Sequence, residues 1–483
     1  MSEAVQGNNL AKIPKEWAQK HQTVLLEENN GAMVIGLLAS ADKQSLHSEL
    51  SFITGKHIEF KEIDQKEFRI LFETQYGALP ETDSVNGAAS YFPSLQNELS
   101  KGSVIQQVNN LIFRAINMGA SDIHIEPYEE SFRIRYRLDG ILQHIVNLSL
   151  TNKNTVISRI KIMAHLDIAE KRRPQDGRIR ISKETKKYDL RVSILPTDFG
   201  EKVVLRILDK SEQRLNLKEL GFEKENLYKF KKAIHYPYGM ILVTGPTGSG
   251  KTTSLYGALN ELNSDEVNIT TIEDPIEYNL HGINQTQVRS DIGVTFSHAL
   301  RSILRQDPNV VMVGEIRDLE TAAIAIRAAL TGHLVFSTLH TNDAPSAVTR
   351  LIDMGIEPFL VASSVRLVMA QRLVRKICTS CKEEYLPDKI AAADLGLDSS
   401  EIPFYRGGGC KTCNGTGYKG RTALFEIMPI SEILSTKVVQ HANVQDLRRQ
   451  AKEEGMITLR EAGIQKIKNG ITTPEEVLRN TII

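Results

Sequence analysis

Met240-Ile-Leu-Val-Thr-Gly-Pro-Thr-Gly-Ser-Gly-Lys-Thr-Thr253 carries four apolar residues straight into Gly245, four further positions, and Gly250-Lys251-Thr252. A short continuous apolar run is what a strand buried on both faces requires. The glycines after it let the backbone turn its N–H groups inward around a polyphosphate. A helix starting near Lys251 adds the positive end of its dipole. Gly245, Pro246, Thr247, Gly248, Ser249, Gly250, Lys251, Thr252 and Thr253 therefore read as a phosphate-binding loop. Lys251 would reach the β- and γ-phosphates, and the Thr252 hydroxyl would ligate Mg2+. A plain glycine turn is the competing reading, but the whole pattern falls in the strand–loop–helix context that gives it meaning.

Working outward, three further apolar runs end in polar groups. Val267–Pro275 is a strand whose carboxyl end presents Glu273 and Asp274, with Glu277 beyond; Asn309–Glu315 ends in an acid, and His333–His340 in a histidine. In a parallel sheet such ends face one crevice. Glu315 is the candidate to orient or deprotonate an attacking water. Gly314 stands where a second acid is common, so the acid that holds the metal's water ligands is expected from Glu273 or Asp274. His340 would sense a γ-phosphate or polarise water, and a structural, hydrogen-bonded histidine fits the pattern equally well.

The 483 residues suffice for about three domains. Lys plus Arg equals Asp plus Glu, 59 each, and aromatics are 6%, which argues against a nucleic-acid partner and against a global attraction to an anionic membrane. No run of 18 apolar residues and no signal-like start is present, so a cytosolic chain recruited to a membrane by another protein is expected.

The coarse pattern divides the chain into residues 1–76, a small α/β domain without visible chemistry; 77–101, a linker poor in apolar residues; 102–221; and 222–483. In the second domain Val104, Val108, Leu111, Ile112, Ala115 and Ile116 share one helix face, ended by Gly119. Ser121–Pro127 alternates as a strand with one wet face, and Phe132–Leu138 leads into the hairpin signal Asp139-Gly140. Arg173, Arg178, Arg191 and Arg206 fall near strand ends there; solvated surface charge is their ordinary reading.

All four cysteines lie late in the chain. Cys378-x2-Cys381 and Cys410-x2-Cys413 are separated by 28 residues, within a subdomain read as 376–421. Four thiolates complete a tetrahedral Zn2+ shell with no open position, so the site should be structural. Arg372, Arg375, Lys376 and Lys382 flank the first pair and would give a nucleic-acid zinc module its charge, against which the balanced composition weighs.

Together Ser121–Pro127, Arg173–Arg178, the phosphate loop, Thr271–Glu277, Gly314–Asp318 and Thr331–Asn342 resemble the secretion ATPases of type II secretion and type IV pilus systems. With its four-cysteine insert, single short N-terminal domain and total length the chain resembles the type II branch most; pilus-assembly ATPases usually carry a longer N-terminal region, and retraction ATPases lack the cysteine insert. The resemblance implies an α/β, RecA-like P-loop ATPase domain carrying a four-cysteine zinc-binding insert, preceded by smaller α+β domains, the second PAS-like. It implies a cytoplasmic homo-hexamer that hydrolyses ATP to drive a pseudopilus through an inner-membrane platform protein. Residues 1–76 would dock on the cytoplasmic domain of a membrane partner, with an anionic membrane surface as a further contact. Arg178 and Arg191 match arginines that approach the γ-phosphate. A RecA-like nucleic-acid translocase and a nucleotide-gated scaffold without turnover are the competing classes.

Overall fold

A computed structural model of the chain describes residues 103–183, 186–209, 216–387, 389–397 and 402–481, with short runs and single positions between Ile13 and Gln75. The expected linker at 77–101 lies outside the described residues. The chain divides into two compact units, Met1–Glu212 and Gln213–Ile483.

The first unit contains two sheets. Strands β1 (Thr23–Glu28), β2 (Ala32–Leu37) and β3 (His57–Glu62) pair in that order, the first pair antiparallel and the second parallel. Val24, Met33, Ile35, Ile58 and Phe72 are buried on it. The larger sheet is antiparallel in the order β6-β5-β4-β9-β8-β7. Its strands are β4 (Asp122–Pro127), β5 (Phe132–Leu138), β6 (Ile141–Leu148), β7 (Gln175–Lys183), β8 (Lys186–Thr197) and β9 (Gly200–Asp209). The helix Val104–Asn117, opened by a Ser103/Gln106 capping box, and the helix Lys153–Met163 pack on its apolar face. Asp139 and Gly140 both have positive φ, 47° and 89°, as a two-residue hairpin turn requires.

One expectation fails here. The polar face of β4 is not wet, because Glu126 is only 3% exposed. Arg135 donates to both of its oxygens at 2.8 Å, and Arg133 and Lys202 lie at 3.4 and 3.2 Å. Burial pushes the carboxyl pKa up, but the hydrogen bonds from Arg135 and Lys202 outweigh it and hold it down at about 2. Alternation marked the face correctly; the cross-strand cations that roof it come from β5 and β9.

The second unit is built on a seven-stranded sheet, order β12-β11-β13-β14-β10-β15-β18. Strands β10 (Gly239–Thr244), β11 (Ile269–Glu273), β12 (Asn284–Gln287), β13 (Val310–Val313), β14 (Leu334–Leu339) and β15 (Val365–Ile377) are parallel. A two-stranded ribbon, β16 (Lys382–Tyr385) with β17 (Phe404–Gly407), precedes β18 (Tyr418–Pro429), which runs antiparallel to β15. Met240 and Leu242 enter the core on one face of the sheet, Ile241 and Val243 the core on the other, so the quoted apolar run is buried from both sides. The sheet order reverses at β10, which has β14 on one side and β15 on the other. Such a switch point opens a crevice at the carboxyl ends of the strands. Among the described residues no helix is long and apolar enough to cross a membrane.

Glu426 on β18 is buried, 3% exposed, and joins two helices by accepting from the first N–H groups of Ala344–Asp353 (2.7 Å) and Leu459–Lys468 (3.3 Å). Burial first, with help from Asp343 and against those N–H groups and Arg448, pushes its pKa up from 4.5 to about 7. A carboxyl whose pKa rises on folding contributes stability that is complete below the unfolded value and lost as pH rises through the folded one. Between about pH 4.5 and 7 the stability of this unit should fall by an amount on the order of 3 kcal/mol from this group. Unfolding midpoints measured from pH 5 to 8 should show the decline in the natural chain and a flatter curve in Glu426→Gln; equal slopes would refute it.

Candidate functional site: a phosphate loop at the switch point of the sheet

The loop after β10 is shaped by three glycines with positive φ: Gly245 at 149°, Gly248 at 79° and Gly250 at 87°. A Cβ on Gly245 would stand 2.6 Å from the Gln371 carbonyl oxygen, and one on Gly250 would stand 2.8 Å from Gln371 Nε2. At Gly248 a Cβ would meet nothing within 4 Å. The loop is thus pressed against β15 on one side and open on the other, as a cradle for a polyphosphate requires. Among the described residues the buried Ser249 hydroxyl has no hydrogen-bond partner, a second sign that the cradle's polar groups serve a ligand. Lys251 opens the helix Lys251–Leu262, is 9% exposed, and donates to the Gly245 and Pro246 carbonyls at 2.7 and 3.1 Å. Burial pushes its pKa down to about 8, with Glu315 opposing and Arg372 adding to the fall. An ammonium so placed gains most from a nearby polyanion.

Glu315 and His340 close the crevice. Val313 pairs with Ser337 on β14, and Leu339 with Thr244 on β10, so the residues just beyond these strands emerge together. Glu315 has a side chain only 16% exposed, 3.4 Å from His340 Nε2, and accepts a hydrogen bond from Arg317. Arg317 also approaches Asp274 at 3.7 Å. The His340 turn is tied to the loop strand, since Thr341 N donates to the Thr244 hydroxyl at 2.9 Å. Gly314 has a steric reason: a Cβ there would lie 3.2 Å from the Ile272 carbonyl oxygen and 3.3 Å from Glu273 Cα.

The acidic pair separates. Asp274 faces Arg317 at the crevice, whereas Glu273 is 3% exposed and accepts from the hydroxyls of Tyr256 and Thr271 and from the Gln285 amide at 3.0 Å. Tyr256 belongs to the helix that Lys251 opens, so Glu273 braces the loop helix against β11. Burial and the Glu273 charge drive the Tyr256 pKa upward, keeping the phenol a donor. The sequence could not tell the two apart, because it does not say which face of the sheet a strand-end residue turns to.

In the first unit Arg178, Arg191 and Arg206 lie within paired strands rather than near their ends as expected. Arg178 faces Arg191 across β7 and β8, Arg191 faces Arg206 across β8 and β9, Arg206 faces Asp122 on β4, and Asp122 faces Arg137 on β5. Asp122 Oδ1 receives Arg206 at 3.1 Å, and Asp189 receives Arg178 at 3.5 Å. Directly opposed like charges repel, and the row is held by its acids: Asp122 also takes Arg137 at 3.5 Å, so Arg137, Arg178 and Arg206 are each ion-paired. Arg173 lies before β7 and joins no such row.

The four cysteines meet. Their Sγ atoms all lie within 4.8 Å of one another, with Cys378–Cys410 at 3.9 Å and Cys381–Cys413 and Cys410–Cys413 at 3.8 Å. A tetrahedral shell of four thiolates around zinc demands a sulfur–sulfur edge of about 3.8 Å, and a disulfide is far shorter. Backbone N–H groups of Cys410 and Gly417 point at Cys413 Sγ from 3.2 and 3.3 Å, donors that suit a thiolate. Of the flanking basic residues, Lys376 is exposed and the other three are engaged within the protein. Arg375 pairs with Glu476 and lies over Tyr418, Lys382 lies over Tyr405, and Arg372 is buried at the phosphate loop. That last placement was missed in the sequence; the signal was the polar pair Gln371-Arg372 interrupting the apolar run of β15 between Ala370 and Leu373.

Fold and site together define a RecA-like P-loop ATPase with a cluster of four cysteines that could hold a metal ion. Residues 97–479 match the family of Type II/IV secretion system proteins, and the chain belongs to that family. Type II secretion system ATPase E of Vibrio cholerae is 43% identical, over 98% of this chain and 97% of its own. Type IV pilus assembly ATPase PilB of Myxococcus xanthus is 45% identical, over 97% of this chain and 86% of its own. Among solved structures, the pilus retraction motor PilT with bound ADP is similar at a TM-score of 0.52 and 25% identity, covering 77% of this chain and 95% of PilT. The Yersinia pseudotuberculosis ATPase DotB shares the fold at 0.59 and 20% identity, over 83% and 98%.

Proposed function

We propose that this chain is the ATPase of a type II secretion system, hydrolysing ATP to drive assembly of a pseudopilus and export of proteins across the outer membrane. The end-to-end correspondence with the Vibrio cholerae type II secretion ATPase, nearly the full length of both chains, supports it. The slightly higher identity to a pilus-assembly ATPase supports the second reading, a type IV pilus motor.

In this reading residues Gly245 to Thr253 hold the phosphates, and the Thr252 hydroxyl holds Mg2+, which would neutralise charge on the β- and γ-phosphates. Glu315 orients or deprotonates water, His340 and Arg317 hold Glu315, and Asp274 orders the metal's water shell while Glu273 braces the loop helix. Arg178 and Arg191 supply charge to the γ-phosphate. The cysteines hold a structural Zn2+. The working form is a cytoplasmic homo-hexamer, peripheral at the inner membrane. It docks through residues 1–76 on the cytoplasmic domain of a membrane protein, works on a platform protein, and takes no nucleic acid.

Cross-linking the full-length chain in its native membranes, followed by identification of the captured proteins, tests the choice. Recovery of pseudopilin-system platform components is expected. Recovery of pilus-assembly components alone would replace the first reading with the second, and ATPase stimulation by single-stranded DNA would reject both.

A further inference from the structure

Arg372 is 8% exposed, yet among the described residues no carboxylate forms an ion pair with its guanidinium. Ala370 on β15 pairs with Thr244, so Arg372 lies two residues on, beside Gly245 and Pro246. A Cβ on Gly245 would come within 3.1 Å of its Nη1. Nη1 donates to the Gln371 carbonyl at 3.1 Å; Nη2 donates to the Asn342 carbonyl at 3.0 Å and to its side-chain oxygen at 3.2 Å. The nearest acids are engaged elsewhere, Asp343 with Arg448 at 2.8 Å and Glu426 with two helix N–H groups. Both act on Arg372 only through space, against a burial that disfavours its charge.

Lys251 is the second buried cation of this corner, and the Arg372 charge adds to the fall of its pKa. Among the described residues neither of these two buried cations forms an ion pair, and acids reach them only through space, which carries an electrostatic cost. A polyanion at the loop would relieve that cost. Neutral carbonyls fix the guanidinium in place without cancelling its charge. The Asn342 contacts lock it to the turn that carries His340, two residues earlier.

We propose that Arg372 is a second cation of the phosphate site: a positioning residue, held by Asn342 and Gln371, whose uncancelled charge selects nucleotides by their number of phosphates. The proposal rests on the ATPase reading of this site. It differs from the role of Lys251 in acting through its field rather than by contact with phosphate.

The test is equilibrium binding of fluorescently labelled ATP, ADP and AMP to the full-length chain, natural and with Arg372→Gln or Arg372→Lys, at low and moderate salt. Arg372→Gln should weaken ATP by about tenfold, ADP by less and AMP least, because a lost charge counts in proportion to ligand charge. Arg372→Lys keeps the charge but not the fork, and should hold ATP within about threefold of the natural chain. Unchanged binding in Arg372→Gln overturns the proposal. So does an equal loss for all three nucleotides, which marks a merely structural residue. If Arg372→Gln does not fold, Arg372→Lys alone decides, and an ATP loss as deep as that of Lys251→Ala refutes the field effect. Should the natural chain bind none of the three, the ATPase reading itself has failed, a distinct result.

Discussion

Glu315→Gln should leave ATP bound and slow hydrolysis by roughly two to four orders of magnitude, the contribution of a positioned base. The side chain is 16% exposed, 3.4 Å from His340, and hydrogen-bonded to Arg317. Glutamine keeps its size and can still accept from Arg317, so the strand end has no steric reason to move. What it loses is the charge that draws a proton from water. That charge also repels a triphosphate, so ATP should bind at least as tightly to the variant. Lys251→Ala should do the opposite and abolish binding, since the lost ammonium acts on the ground state. Nucleotide binding and turnover measured on both proteins separate the two effects. Natural turnover in folded Glu315→Gln protein would remove Glu315 from the chemistry.

The second large effect is expected at the cysteines. One Zn2+ per chain should be found by metal analysis, and its removal, or Cys410→Ser, should unfold the segment from Lys376 to Arg421. The apolar cluster beneath that segment is small, with Ala392, Leu395, Phe404, Ile467 and Val477 as its buried members. A core of that size cannot hold a two-stranded ribbon and a short helix in place. Structural zinc supplies about 10–16 kcal/mol of apparent binding free energy in small domains, and that is folding free energy when the site does not preexist. Limited proteolysis with and without chelator reads the result as new cleavage between Lys376 and Arg421, with the remainder of the ATPase unit intact. A metal-free preparation from anaerobic purification, or unchanged proteolysis in Cys410→Ser, would refute it.

The sequence by itself determined whatever is carried by neighbours in the chain. The apolar run Met240–Val243 with its glycines, the strands ending at Glu315 and His340, the Asp139-Gly140 turn and the paired C-x2-C segments are each local patterns whose backbone geometry follows from a few adjacent residues. Tertiary structure alone decided which of those ends become neighbours and which way their side chains turn. Glu273 and Asp274 are adjacent in sequence, but one braces Tyr256 in the core and the other meets Arg317. Arg178, Arg191 and Arg206 form one row only because β7, β8 and β9 pair in that register. Arg372 looked like part of a basic flank of the zinc site until the parallel pairing of β15 with β10 set it beside the phosphate loop. The physical reason is the same in each case: a strand's register and neighbour depend on burial summed over residues far apart in the chain, so a charge's partners are written in no single stretch of it.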